Sequence, residues 1–321
     1  MIEHLHWLAP LAVFAIVALF GFVGCVGDDP VVVAQKAKDE QQKADQAAQQ
    51  AKQQAQLYEN VVHAEAALVA YWRLSEGETG NNVAPDSGPQ ALNGTYPSLQ
   101  AVTRSVGGAL FVPEQDDKAA QFDGVHGYME VAYNGLLNPP QDFSIEFWVH
   151  PDPAQPTAPQ ALIAAYEVDA SGAMLSGFAV DLVPPPAGST DYHARIRIGN
   201  GTPGSVPVAV DLVLGDGRDY GGWFHAVASY SSVDKQLKSY VNTVDGAPRD
   251  ILGPSTGLPV YLLQNRSAPF RVGAGWSDQP GATPTLGRFF KGRIDEVALY
   301  RADLDGVAVT HHFLRGTSLP A

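Results

Sequence analysis

The chain lacks the features that mark several common protein classes. Its 321 residues contain one cysteine, Cys25, so no disulfide can form within the chain. Basic residues are scarce, because 20 Lys and Arg stand against 34 Asp and Glu and give a formal net charge of −14. No basic stripe offsets this negative field, which argues against a nucleic-acid partner. The acidic balance favours cations instead, calcium among them.

Catalytic signatures are also missing. The sequence contains no His-Glu-x-x-His, no Gly-x-Ser-x-Gly and no second cysteine for a thiol or zinc site. A glycoside hydrolase needs two carboxylates close together. Glu146 has no acidic neighbour two residues away and Glu130 is isolated in its segment, whereas Asp295 and Glu296 are adjacent and are therefore expected to point to opposite faces. The sequence therefore predicts a protein that is not an enzyme.

One long apolar run, residues 7–26, carries no charge and is long enough to span a hydrocarbon core of about 30 Å at about 1.5 Å per residue. Two interpretations compete for residues 1–29: a retained transmembrane helix, or a lipoprotein signal that leaves Cys25 as a lipidated N-terminus. The residues before the run include no Lys or Arg, unlike a secretory signal, which favours the retained anchor.

Residues 30–69 have the composition of a helical stalk. Asp29 and Pro30 form an N-cap followed by proline, and from 31 to 68 there is no Gly or Pro while Ala, Gln and Lys dominate. The least polar positions are spaced by three and four residues, as in a heptad stripe. The stalk is either a solvated spacer or a packing seam, in which case the contact positions are Ala44, Ala48, Ala51, Ala55, Tyr58 and Val62.

The remaining sequence alternates as β-strands do. In residues 143–150, Phe143, Ile145, Phe147 and Val149 line one face and polar residues with Trp148 line the other. Further strand-like segments, separated by Gly, Pro and Asp/Asn turns, are 161–168, 177–183, 192–198, 206–214, 237–244 and 268–274, and a short helix is predicted over 304–313. Many short strands at such intervals predict a mainly β, two-sheet antiparallel jelly-roll sandwich.

Five segments, in order, resemble the laminin-G-like, concanavalin A-like family of β-sandwiches. They are AYWRL with DSGPQALNG (70–94), AQFDG with GYMEV (120–131), DFSIEFWVHP (142–151), GWFHAVASY (222–230) and FFKGRIDEVALY (289–300). The resemblance implies a sandwich over 70–316, followed by a tail at 317–321. Because such domains are usually extracytoplasmic, it places the protein in the inner membrane with its β domain in the periplasm or outside the cell. The alternative is a lipid-anchored surface protein.

The resemblance also implies sites. Family members often hold calcium near a sheet edge, which makes Asp86, Asn93 and Asp295 the candidate ligands, although the first two could equally make Asx turns. Glycans are bound through aromatic rings on a concave sheet, which makes Trp148 and His150 candidates, with Tyr192 and His193 nearby. Trp148 could instead pack under a loop, and Trp276 is either a contact residue or a plug.

Three functions follow. The first is a non-catalytic, membrane-tethered module that mediates protein–protein contacts as an accessory subunit of a larger membrane assembly. The alternative is a surface lipoprotein that binds polysaccharide through the concave sheet, which a buried Trp148 would oppose. The third, a glycoside hydrolase, would require two carboxylates about 5 to 9 Å apart.

Overall fold

Strand β17 (Lys291–Tyr300) is the central element of one of the two large sheets. In this computed structural model, one of its edges pairs with β7 (Phe143–Pro151), and the other is shared between β5 (Lys118–Asp123) and β1 (Leu68–Trp72). The structure describes residues 35–36, 38–43, 45–46, 57–77, 81–111, 117–204, 206–234, 236–242, 264–277 and 284–317. The segment 289–300, which resembles the closing segment of the family, thus contains the strand that pairs with β1, the first strand of the sandwich.

The two large sheets are antiparallel and face each other as a sandwich. Sheet A has seven strands in the order β13-β12-β7-β17-β5-β4, with β1 also on β17; sheet B has eight in the order β11-β10-β9-β8-β14-β6-β3-β2; and β15 pairs with β16 in a separate hairpin. The other strands are β2 (Val83–Ala84), β3 (Gly94–Thr95), β4 (Val102–Gly107), β6 (Met129–Val131), β8 (Gln160–Val168), β9 (Met174–Val183), β10 (Tyr192–Ile198), β11 (Val208–Gly215), β12 (Phe224–Ser231), β13 (Gln236–Val241), β14 (Phe270–Val272), β15 (Gly275–Trp276) and β16 (Leu286–Gly287). The mainly β sandwich predicted from the sequence is confirmed.

The main core lies between the sheets. The apolar face of β7 points into it, as the alternation predicts, and Phe143 stacks on Phe178 of β9 with ring centroids 4.8 Å apart. Trp72 stacks on Phe270 at 4.9 Å, which connects β1 to β14. Such paired aromatic rings contribute the largest buried areas of the interface between the sheets.

A second core covers part of the outer face of sheet A. Two helices, α1 (Tyr58–Ala64) and α2 (Gly306–Thr317), lie on this face. Tyr58 of α1 and Phe313 of α2 are fully buried there, and Phe313 stacks on Trp148 with centroids 5.9 Å apart. The outward face of β7 is therefore closed by helices over residues 144–148.

The sequence-based boundary between stalk and sandwich requires a correction. The chain divides into two compact units, residues 1–50 and 51–321. Leu57 is extended and α1 begins at Tyr58, so Tyr58 and Val62 pack on the sandwich and are not positions along a continuous stalk. In the first unit, residues 35–36, 38–43 and 45–46 are helical, with Gln35 donating to Asp39 and Gln41 to Asp45. Ala44, Ala48, Ala51 and Ala55 lie outside the described residues.

The predicted location at a membrane is also corrected. In the ranges that the structure describes, no helix combines the length and the apolarity needed to cross a bilayer. The inner-membrane and lipid-anchored locations are therefore withdrawn. Residues 7–26 and Cys25, on which the prediction rested, lie outside the described residues.

A β-bulge in β17 changes which side chains share a face. Pairing with β7 shifts register between Asp295 and Ala298, and Glu296 has φ +52°. The extra residue turns both carboxylates to the outer face, where Asp295 accepts from the Ala109 N–H and Glu296 accepts from Tyr71. The expectation that Asp295 and Glu296 point to opposite faces is therefore wrong, because that rule holds only for a regular strand.

A buried carboxylate connects the two helices to sheet A. Glu146, on β7, is completely buried and accepts from the hydroxyls of Tyr58 at 2.8 Å and Tyr300 at 2.6 Å. Its Oε1 lies 2.7 Å from Nε2 of His225, and its Oε2 lies 3.0 Å from Nδ1 of His312 in α2. Donors from α1, β12, β17 and α2 thus converge on one charge.

The charge state of this network follows from its geometry. Burial by itself raises the pKa of Glu146, but the His312 cation and hydrogen bonds from His225 and His312 outweigh it and hold that pKa well below its usual value. Burial lowers the pKa of His312, yet Glu146 raises it to about 10 overall. Burial and the nearby carboxylate raise the pKa of Tyr58 and Tyr300, so both remain neutral donors. The network therefore holds an ionised pair at neutral pH.

Replacing Gly316 by Ala should destabilise the domain, although Ala is the better helix former. A Cβ at this position would lie 2.4 Å from Cζ2 of the buried Trp148. We expect unfolding in urea to show a loss of about 1–3 kcal/mol from overpacking. Val307→Ala in the same helix, at a side chain that is 73% exposed, should change stability by less than about 0.5 kcal/mol. A stabilised Gly316→Ala protein would contradict the packing of α2 on Trp148.

Replacing Glu146 by Gln should lower the free energy of unfolding by about 3–5 kcal/mol, because the buried His312 cation loses its partner.

The pair of Glu146 and His312 should also determine how the stability of the domain depends on pH. The contribution of Glu146 to the free energy of unfolding is fully present above its ordinary pKa of 4.5 and is lost as pH falls through its lowered folded-state pKa. The contribution of His312 is fully present below its ordinary pKa of 6.5 and is lost as pH rises through its folded-state pKa of about 10. Urea unfolding between pH 3 and 10 measures both slopes.

The matched control for this substitution is Asp211→Asn, which removes an ion pair with Arg195 in which both side chains are exposed. We expect it to cost less than about 1 kcal/mol and to leave the alkaline slope of the profile unchanged. If Glu146→Gln kept both slopes of the wild-type profile, the pair would not be their source.

Candidate ligand-binding site

A cleft lies beside the β15–β16 hairpin, where β8 ends and β9 begins. Its volume is about 460 Å³, within the range of about 300–1,000 Å³ typical of small-molecule sites. Its polar wall consists of Glu167 and Ser267, and its apolar wall includes Trp276, Leu175 and Pro269. Of the residues predicted as contacts from the sequence, Trp276 is the one that lines this cleft.

Trp276 is held rigidly by the strands below it. Its indole Nε1–H donates to the Tyr166 carbonyl at 2.9 Å, and its backbone N–H donates to the Tyr166 hydroxyl at 3.1 Å. The guanidinium of Arg271 lies 4.6 Å from the ring centroid and is itself paired with Glu130 at 2.7 Å. The indole N–H is thus already used, so the half-buried ring offers apolar surface to the cleft and no hydrogen-bond donor.

Glu167, which lines the same cleft, has a fixed carboxylate. It accepts from the hydroxyls of Ser267 at 2.6 Å and Ser176 at 2.9 Å and from the Arg266 N–H at 3.1 Å. Burial raises the pKa of Glu167, but these hydrogen bonds outweigh it and the pKa is lowered overall. Glu167 is therefore an ionised acceptor at neutral pH.

The other predicted contact residues are not gathered at one site. Trp148 is fully buried beneath α2 and cannot reach a ligand, which corrects its assignment as a contact. His150 lies on the outer face of sheet A, half-buried against Trp223. Tyr192 and His193 belong to sheet B: Tyr192 points into the main core and donates to the Asp152 carbonyl, and His193 contacts Ser189 outside.

The predicted calcium ligands are separated as well. Asp86 accepts from the backbone N–H groups of Tyr71, Gly88 and Leu92, and Asn93 accepts from the Asp86 N–H. These contacts are the Asx-turn alternative, and they lie on the edge of β1 that faces away from β17. Asp295 is on β17, so the structure does not bring it together with Asp86 and Asn93. A role for calcium stays a prediction.

The bulge in β17 creates an acidic group that the sequence pattern did not reveal. Carboxylate oxygens of Asp117, Asp295 and Glu296 lie within 4.8 Å of one another, the one such group of three in the described part of the chain. Arg73 lies 3.0 Å from Glu296 and 3.6 Å from Asp117. Burial raises the pKa of all three acids, and Asp117 raises that of Asp295 further. Arg73 and the raised pKa values both reduce the negative charge of this group, which lies on the opposite sheet from the cleft.

Comparisons with known proteins agree with this architecture. Residues 123–309 match a laminin G-type family model described as the concanavalin A-like lectin/glucanases superfamily. No curated protein matches the chain. Three of the similar solved structures are botulinum neurotoxin type C (12% identity, TM-score 0.47), the binding domain of Paraclostridial Mosquitocidal Protein 1 (15%, 0.49) and a Trypanosoma rangeli sialidase (18%, 0.48).

These structures are longer than the matched region. The alignments cover 77%, 77% and 78% of this chain but only 51%, 51% and 33% of the respective solved chains, in the same order. The family model spans more than half of the sequence and includes β7, β12 and β17, which were identified from their residues. The chain therefore belongs to the concanavalin A-like lectin/glucanase superfamily.

Proposed function

We propose that the protein is a non-catalytic binding module that holds a saccharide in the cleft between Trp276 and Glu167. The observation that carries this proposal is the pairing of an immobilised aromatic surface with an ionised acceptor. A sugar ring has an apolar face that packs on an aromatic ring and hydroxyls that donate to a carboxylate. Because both groups are fixed before binding, little side-chain entropy is lost on association.

The charge state of the cleft favours binding over hydrolysis. A glycosidase acid has a raised pKa and is paired with a second carboxylate about 5–9 Å away. Among the residues that the structure describes, Glu167 is the one carboxylate that lines this cleft, and its pKa is lowered. The group of three carboxylates in the described chain, Asp117, Asp295 and Glu296, is on the other sheet, where Arg73 lies close to Glu296 and Asp117.

The second candidate function is binding of a protein partner. It is favoured by a patch of aromatic residues in the segments that immediately precede β6 and β17. The ring of Phe289 lies 6.1 Å from His126 and 6.3 Å from Tyr128, and Val125 beside them is 55% exposed. Aromatic residues of this kind are enriched where proteins bind proteins. The two candidates use different surfaces, so substitutions at Trp276 and at Phe289 distinguish them.

Replacing Trp276 by Ala should weaken saccharide binding about 10- to 100-fold, because it removes the aromatic ring on which the apolar face of a sugar would pack. Titration calorimetry with neutral cello-, xylo-, laminari- and galacto-oligosaccharides measures the loss. Tyr133→Ala is the control, since Tyr133 is 43% exposed and outside the cleft. Trp276→Phe should retain part of the affinity if the fold is intact. Unchanged binding in Trp276→Ala would refute this location.

Replacing Glu167 by Gln should weaken binding without abolishing it, because an amide oxygen still accepts a hydrogen bond. Reducing ends released from the same oligosaccharides should not exceed background in either protein. Hydrolysis by the wild type that Glu167→Gln removes would show a glycosidase and contradict the non-catalytic assignment.

A further inference from the structure

The outer face of sheet A is open where α1 and α2 do not cover it. There the register places Gln121 of β5 beside Arg293 of β17, and Arg293 beside His150 of β7. We call these three side chains the Arg293 row. They line a second cavity of about 240 Å³, together with Asp152 and Lys291 at one end. The row spans the three central strands of the sheet.

Arg293 differs from the other strand arginines in having no partner. In the described chain, Arg195 pairs with Asp211, Arg197 with Asp181, Arg271 with Glu130, and Arg104 donates to the Asn81 carbonyl. Arg293 is half-buried, and among the described residues its guanidinium makes no hydrogen bond or ion pair. A partly desolvated cation without a counter-charge favours an external anion.

The neighbours of Arg293 do not supply that counter-charge. Lys291 is paired with Asp152 at 3.1 Å, and Asp123 accepts from the backbone N–H groups of residues 125–127. These hydrogen bonds, together with the charge of His126, lower the pKa of Asp123 despite its partial burial. Both acids at the cavity are thus occupied locally.

His150 and Gln121 add hydrogen-bonding capacity beside the cation. Nδ1 of His150 lies 3.1 Å from the Pro151 carbonyl, and a carbonyl oxygen only accepts, so Nδ1 carries the proton. In the neutral ring this leaves Nε2 as an acceptor. The ring is held by Trp223, edge to face at 5.5 Å, and by Gly222, where a Cβ would lie 2.7 Å from Nε2. Gln121 is exposed and can both donate and accept.

We propose that the Arg293 row binds the anionic group of an acidic saccharide. The guanidinium fork of Arg293 takes the carboxylate or sulfate in two parallel hydrogen bonds, and His150 and Gln121 take hydroxyls of the same residue. This site is separate from the cleft at Trp276, on the opposite sheet, and does not depend on the function proposed for that cleft.

The test compares an oligogalacturonate with its fully methyl-esterified form, which keeps the chain and removes the charge. Titration calorimetry should show wild-type protein binding the acid at least about 10-fold more tightly than the ester. Arg293→Gln should lose about 10- to 100-fold of the affinity for the acid and none of that for the ester. Arg301→Gln, at an exposed residue directly after the end of β17, is the matched control and should bind as the wild type does.

Two further arms separate the possible results. A sulfated oligosaccharide of the same length distinguishes sulfate from carboxylate, and tight binding of either that requires Arg293 supports the proposal. Trp276→Ala should leave acid binding intact, so failure of the cleft and failure of this row are distinguishable. Equal affinity of the wild type for acid and ester, or an unchanged Arg293→Gln protein with wild-type thermal stability, would overturn it.

Discussion

The buried negative charge of Glu146 determines how sheet A is covered. A carboxylate taken out of water is tolerated only when several donors surround it. Here the donors are supplied by Tyr58 and His312 in the two helices, by Tyr300 in β17 and by His225 in β12. Each helix contributes one of these donors. The polar network and the apolar contacts of Trp148 therefore fix both helices on the same half of the sheet.

The cover over Glu146 has a consequence for the rest of the face. It ends before His150, two residues beyond Trp148 on the same strand, and β17 changes phase between Asp295 and Ala298. Residues before the bulge, such as Arg293, face open space, whereas those after it, such as Tyr300, face the helices. One strand thus divides a single sheet face into a closed stabilising half and an open polar half.

Much of the fold was predictable because period-two alternation directly reflects a strand with one buried face. The segment 192–198 was predicted with the bounds that the structure has, and the apolar face of 143–149 points into the core. The same logic failed at Asp295 and Glu296, since a bulge adds a residue without any local sequence signal. Alternation also cannot distinguish a solvent-facing residue from one covered by a distant helix, which is why Trp148 was misassigned.

The candidate sites were less predictable for a related reason. Trp276 is in a segment without strand periodicity, so its aromatic side chain was the one sequence feature that suggested a binding role. Glu167, which lines the same cleft, lies 109 positions earlier on another strand. Arg293 could be placed on a strand, but its lack of a counter-charge depends on three neighbouring strands at once. Register and pairing across strands, and not residue type, decide which charges are satisfied.

The whole chain's net charge of −14 and an anion site at Arg293 are compatible because the two act over different distances. At physiological ionic strength, exposed charges are screened beyond about 8 Å, so most of the acidic surface has little influence on a group bound at Arg293. The local balance is what matters, and there Asp152 is already paired with Lys291. The overall charge acts instead on the encounter, because it slows the approach of a polyanion at low salt. Added salt should therefore weaken the ion pair between Arg293 and the bound anion, and it should also reduce the repulsion between the acidic protein and a polyanion. The short-range pairing with Arg293 is then the source of selectivity for the acid over the ester.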